Sequence, residues 1–379
     1  MITSTLRDIF RINLGVKKYE KVLLFTDRPS EKEEIDESDK ERRLKLSSLS
    51  LFAAEIGKNF CKTIIFHEYP ATGSHGEEPP EELWELAFRK KTVESLKREG
   101  LLLSILMKNA EDSDIQKAEK IIRKNKENAV NCVIALSNYS TSHTRFRHFL
   151  TRICGCRYAS MPLFDISMLE GAMSVDWKAL AKKTVRIAKE VTKAEFIEIK
   201  TINGSSLSLS KRGRKAGSDT GILRRPGAFG NLPGGEVYLA PLEGTARGRL
   251  ILEWAPTRRL KSPITLTVKD GYVVNIEGED EYAEYLRVKL DERKENGNIA
   301  EFGIGTNNRA TRLDNILESE KILGTIHIAL GDNSSFGGKI KTPFHQDFVF
   351  LKPTVKLIYK DGSKNTLLKS GRLLCEGCI

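Results

Sequence analysis

The tightest constraint on the fold comes from a few Asx-Gly steps. Asn203-Gly204, Asp270-Gly271 and Asp361-Gly362 interrupt runs of strand-forming residues, and such dipeptides favour the primed turns whose twist matches an antiparallel ribbon. The first of them links Glu195-Phe196-Ile197-Glu198-Ile199 to Ser206-Leu207-Ser208-Leu209, a hairpin by alternation and turn together. From near Thr192 onward the chain therefore reads as β-rich and mainly antiparallel, interrupted by one helical stretch, 282–295.

The first half follows a different rule. Short apolar runs at Val22-Leu23-Leu24-Phe25, Thr63-Ile64-Ile65-Phe66, 101–106 and 132–136 alternate with helical patterns at 41–59, 81–88 and 114–125. That alternation predicts βαβ units and a mainly parallel sheet. A chain of 379 residues is long for one hydrophobic core. The expectation is thus an α/β protein of two domains: an open α/β domain over 1–175 and a β-rich α+β domain over 176–379. Asp176 is the expected cap of an amphipathic helix over 176–193, and the polar run 137–144 is expected to be a loop feeding another helix.

Several function classes are set aside at this stage. Neither GxGxxG nor GxxxxGK[ST] follows an expected strand, so dinucleotide and P-loop chemistry have no support. Lys and Arg number 62 against 51 Asp and Glu, for a net charge of +11. The basic clusters at 211–215, Arg224-Arg225 and Arg258-Arg259 lack interleaved aromatics, so the expected partners exclude nucleic acid. No apolar run reaches membrane-spanning length, so no membrane partner is expected. Charges within the N-terminal stretch argue against a signal peptide, which makes a cytoplasmic location the expectation. Of cysteines 61, 132, 154, 156, 375 and 378, the pairs 154/156 and 375/378 form half-sites of unequal spacing and are read as reduced thiols.

The chemistry is concentrated in 297–347. His345 and Asp347 stand two apart, so on a strand they point from one face. His327 lies in the alternating run Thr325-Ile326-His327-Ile328-Ala329. Glu301 sits in the apolar strand Asn298-Ile299-Ala300-Glu301-Phe302-Gly303-Ile304-Gly305, where an unpaired carboxylate is costly. Glu236 follows the turn Asn231-Leu232-Pro233-Gly234-Gly235 and opens another strand. Two imidazoles and three carboxylates in this pattern predict a metal site.

NLPGGEVYLAP, NIAEFGIGTN, LESEKILGTIHIALGDN and the later His345-x-Asp347 resemble the thermophilic metallo-aminopeptidase family, the leucyl-aminopeptidase-like exopeptidases. The resemblance spans about 137–347. It implies a homodimer, a peptide substrate, and two divalent ions (Zn, Co or Mn) held by Glu236, Glu301, His327, His345 and Asp347. It further implies hydrolysis of N-terminal, leucine-like residues by a two-metal-activated water, with Glu236 and Glu301 in catalytic roles. Glu301 or Asp347 would bridge the ions, and Glu243 and Glu253 are available as general bases. One departure stands out. Those enzymes carry a tyrosine shortly after the motif histidine, whereas this chain has Asp332-Asn333-Ser334-Ser335-Phe336. The alternative is a mononuclear Fe(II) ring-cleaving dioxygenase of the dihydroxypyridine type, a group similar in sequence, using His327, His345 and Asp347.

Overall fold

A computed structural model describes residues 2–374 apart from Lys32 and Asp36. Cys375 and Cys378 lie outside the described residues, so the second thiol pair has no structural account. The chain forms two compact units. One runs from the start of the chain to Ser174 and takes in Gly221–Pro233; the other comprises Val175–Thr220 and the chain from Gly234 on.

The first unit is built on a five-stranded parallel sheet in the order β2-β1-β3-β4-β8. Its strands are β1 (Lys21–Arg28), β2 (Thr63–Pro70), β3 (Cys132–Ala135), β4 (Arg157–Ser160) and β8 (Phe229–Asn231). Strands β1, β3 and β4 are buried almost throughout, as a sheet covered on both faces requires. One core cluster gathers Leu23, Phe25, Trp84, Phe88, Phe146, Phe149 and Tyr158.

One expected strand is a helix. Leu101–Leu106 is α-helical and starts after Gly100, whose φ of 70° ends the preceding helix Lys90–Arg98. Burial explains the difference. Leu101, Leu102 and Ile105 are buried, while Leu103 is 71% exposed, a spacing of one helix face. A short apolar run carries both readings until its packing partners are known.

The polar loop 137–144 does feed a helix. Thr144 caps Arg145–Arg152 by accepting from Arg147 N, and the buried Glu78 carboxylate accepts from Arg145 N and Phe146 N in the same first turn. Burial outweighs these bonds and raises the Glu78 carboxyl to about 7 from 4.5. The folded chain therefore holds this proton more tightly than the unfolded one. Its contribution to stability is complete below pH 4.5 and is lost as the pH rises through about 7. The difference amounts to about 3 kcal/mol. Urea melts from pH 4.5 to 7.5 should show that slope in the native chain and a flatter one in Glu78→Gln.

The second unit holds two antiparallel sheets. The larger, in the order β12-β11-β10-β6-β5-β16-β17-β18, contains β5 (Phe196–Lys200), β6 (Ser206–Ser210), β10 (Arg247–Trp254), β11 (Arg259–Lys269), β12 (Tyr272–Glu277), β16 (Thr354–Ile358), β17 (Lys364–Lys369) and β18 (Arg372–Leu373). Asn203-Gly204 joins β5 to β6, Asp270-Gly271 joins β11 to β12, and Asp361-Gly362 joins β16 to β17. Asp270 and Gly271 both have positive φ, 51° and 83°, the pairing a type I′ turn needs. Helix Trp177–Lys193 is capped by Asp176, which accepts from Lys178 N and Ala179 N.

The smaller sheet runs β15-β14-β13-β9-β7. It comprises β7 (Gly217–Asp219), β9 (Glu236–Leu239), β13 (Ile299–Gly305), β14 (Ile326–Gly331) and β15 (His345–Phe350). Val237, Leu239, Phe302, Ile304, Ile326, Ile328, Leu330, Phe348 and Phe350 enter one core cluster with residues of the larger sheet. Those side chains occupy one face of the smaller sheet. The other face is left to the alternate residues.

Candidate metal centre

Register lays out that second face row by row. Glu301 pairs with Ala329 on β14, and Ala329 pairs with Asp347 on β15. The row beside it is Tyr238, Gly303, His327 and Val349. On its other flank Gly331 faces His345, and beyond the histidine row Asp219, Glu236 and Gly305 align. Directly opposed residues share a face, so the five ligands expected from the sequence lie on one surface. Small residues at Gly303, Gly305 and Ala329 leave room for the functional side chains.

Gly303 shows how tight the fit is. A β-carbon there would overlap the His327 imidazole, which lies across the opposing glycine. Gly303→Ala must displace that ring, and such overpacking costs about 2 kcal/mol. A urea midpoint equal to that of the native chain would contradict this packing.

Gly235 delivers Glu236. With φ of 117°, it donates from its N to Asp219 O and accepts from Thr306 N, which sets the first residue of β9 against the end of β13.

Among the described residues one group could hold an ion: Glu301, His345 and Asp347, with one ligand atom from each lying within 4.8 Å of the others. His345 Nε2 is 3.3 Å from Asp347 Oδ2 and 3.6 Å from Glu301 Oε2. Its other nitrogen, Nδ1, is 2.8 Å from Asp332 O. A carbonyl only accepts, so Nδ1 carries the hydrogen, and Nε2 is the nitrogen turned towards the two carboxylates. Asp347 Oδ1 is buried with no hydrogen-bond partner, an arrangement a bound cation would relieve.

The electrostatics agree. Burial opposes charge on His345, yet Asp347 and Glu301 still raise its pKa to about 10. Burial likewise opposes charge on His327, and Glu301 and Glu236 raise it to about 9. Burial and the neighbouring Asp347 push the Glu301 carboxyl up. The pocket calls for positive charge, and these donors fit a divalent ion. Glu301 and His327 are buried while His345 and Asp347 are partly exposed, so the site opens on their side.

His327 and Glu236 are arranged otherwise. His327 Nε2 lies 3.5 Å from both Glu301 Oε1 and Glu236 Oε2, which places it behind Glu301. Glu236 Oε1 pairs at 2.7 Å with Lys321 Nζ, which also meets Glu320 Oε2 at 2.9 Å. Lys321 is wholly buried. A pair of Zn, Co or Mn ions finds no support in this geometry, because the carboxylate needed for a second ion is already neutralised by an ammonium.

Glu243 forms an ion pair with Arg214 and accepts from Lys339 N at 2.8 Å and Asn333 Nδ2 at 3.1 Å. These contacts tie its carboxylate to Arg214 and to the segment 333–339. Glu253 accepts from Asn203 at the hairpin turn. Phe336, in the segment that lacks the family's tyrosine, stands edge-on to both His345 and Tyr238, each with ring centroids 6.0 Å apart. Sequence reasoning missed Lys321, Glu320 and Tyr238. Nothing in Glu318-Ser319-Glu320-Lys321 marks the first two, because such a run reads as a solvated surface.

A model of the NicX family, 2,5-dihydroxypyridine 5,6-dioxygenase, matches residues 108–374. The chain belongs to this family. A 2,5-dihydroxypyridine 5,6-dioxygenase of Pseudomonas putida is 28% identical over 183 residues, covering 44% of this chain and 52% of that protein. The chain thus spans about half the length of the curated relative it matches. The solved structure of a 2,5-dihydroxypyridine dioxygenase from Pseudomonas putida KT2440 superposes with a TM-score of 0.69 at 17% identity, covering 100% of this chain and 98% of that one. AmpT from Thermus thermophilus superposes at 0.57 and 15% identity, covering 99% of each chain.

At those identities the two superpositions show the shared two-domain α/β fold alone. They confirm the fold class and reduce the aminopeptidase resemblance to distant likeness of fold. Membership in the NicX family overturns the expected peptide hydrolase, with its leucine-like substrates and two-metal-activated water. No helix among the described residues is long and apolar enough to cross a membrane. Cys61, Cys132, Cys154 and Cys156 are free thiols, and burial raises Cys132 and Cys154 to about 12, which makes them poor nucleophiles.

Proposed function

We propose that this chain is a one-iron dioxygenase that opens the ring of a hydroxylated pyridine of the 2,5-dihydroxypyridine class. The observation that carries the reading is the single convergent donor group, Glu301, His345 and Asp347, in a member of the NicX family. Of the trio expected for the alternative, His345 and Asp347 belong to this group, and His327 stands 3.5 Å from Glu301 Oε1 beside it. Iron(II) bound there would supply the one-electron chemistry that lets dioxygen react with an aromatic ring.

The chain's own residues then have separable tasks. Asp332 O fixes the His345 tautomer through Nδ1. His327 engages Glu301 Oε1 from behind and leaves Oε2 turned towards His345. Lys321 holds Glu236 against His327. Phe336 stands edge-on to the ligand histidine and Tyr238 edge-on to Phe336, a surface suited to a planar ring. The Tyr238 phenol is raised to about 12 by burial and by nearby Asp219, Glu236 and Glu301, so it stays protonated at neutral pH and can donate to a substrate oxygen.

The test is direct. Protein purified without oxygen and loaded with Fe(II) should consume about one O2 per 2,5-dihydroxypyridine. Chelation should abolish uptake, and Fe(II), not Zn(II), should restore it. Protein carrying one iron per chain that consumes no oxygen with hydroxypyridines would end this reading.

A further inference from the structure

The iron reading leaves unexplained why a lysine is buried at such a site. Lys321 is 0% exposed, and its backbone is fixed against the end of β13, with Asn307 N donating to Lys321 O and Leu323 N to Asn307 O. The ammonium lies 2.7 Å from Glu236 Oε1 and 2.9 Å from Glu320 Oε2. Asp219, opposite Glu236 in register, adds to the negative potential at Nζ. Burying a lysine is costly unless its charge is matched. Here burial opposes the charge, and Glu236, Glu320 and Asp219 together hold it on. From this position Glu236 reaches His327, and His327 reaches Glu301.

Oxygen atoms at ammonium distance need to close in by only roughly half an ångström to meet a divalent ion. We infer that Lys321 is a built-in second cation. Its ammonium permanently fills a cation position bounded by Glu236 and Glu320, so the chain takes one exchangeable metal ion and keeps the Glu236–His327 side of the site ordered without another. The inference rests on the one-metal reading above for the ligands Glu301, His345 and Asp347.

Manganese(II) is the probe, with metal content and thermal melting as readouts. The native chain should bind one Mn(II), and its Tm should stop rising once that site is filled. Lys321→Ala should bind two, with a Tm lowered in the absence of metal and raised by about 5 °C or more as the second site fills. Adding Glu236→Gln to that variant should return it to one ion, because a carboxylate partner is gone. A Lys321→Ala protein that stays at one ion with an unresponsive Tm overturns the inference, as does a native chain that takes up a second. If the alanine variant folds only with metal, its refolding yield from urea should rise with Mn(II); equal yields overturn the inference too. Failure of the iron reading looks different: no oxygen uptake with hydroxypyridine by the native chain, with the Mn(II) counts unchanged.

Discussion

Asp347→Asn should leave the chain folded and empty the proposed iron site. Asparagine keeps the shape of the side chain but removes the charge. It also places an amide where Oδ1 now stands buried without a partner and Oδ2 faces His345 at 3.3 Å. Three protein ligands are few, and losing one anionic donor removes both a bond and part of the charge match. Iron content after desalting should fall from about one per chain to below about a tenth, and ring-opening turnover by at least about a thousandfold, or about 4 kcal/mol. The fold should hold, because Asp347 lies near the open side of the site and contributes nothing to the apolar face of β15. An asparagine variant with full iron content would remove Asp347 from the ligand set. Glu301→Gln and His345→Ala should behave alike. His327→Gln should retain more iron, since His327 stands behind Glu301 rather than within the convergent group.

Lys321→Met should be the most destabilising substitution in this part of the molecule. Methionine fills the space and removes the charge, so Glu236 and Glu320 face each other with no cation between them. Breaking a buried pair from one side typically costs about 3–5 kcal/mol, because the remaining charge stays desolvated. Burial already raises Glu320 to about 8 even with the ammonium beside it. Without Lys321 that proton should be held still more tightly, so the loss should grow only as the pH rises above about 8. Urea denaturation at pH 7 and 9 would check both the size and the slope. A loss under about 1 kcal/mol at either pH would mean that solvent screens the pair and that the ammonium is not needed.

Much of the site was legible because a strand has a period of two. Glu301, Gly303 and Gly305 alternate with Phe302 and Ile304. His327 and Ala329 alternate with Ile326 and Ile328, and His345 and Asp347 flank Gln346. Each run announces an apolar face and a chemical face. The Asx-Gly turns likewise marked the hairpins, since few other residues accept positive φ there. Leu101–Leu106 was not legible, because six apolar-rich residues satisfy a strand or a helix equally until neighbours bury one set.

The sequence by itself determined that one face of the small sheet carries histidine and carboxylate in ligand-like supply. It could not say how they divide. Cross-strand register brings Glu301 and Asp347 to either side of the same residue, Ala329, and puts His327 in the neighbouring row. Tertiary structure also brought Lys321 against Glu236. A lysine beside a glutamate reads as a solvated surface pair in any sequence, and only burial turns it into a fixed cation. The number of metal ions therefore depends on a contact between segments distant along the chain, and strand periodicity carries no record of such contacts.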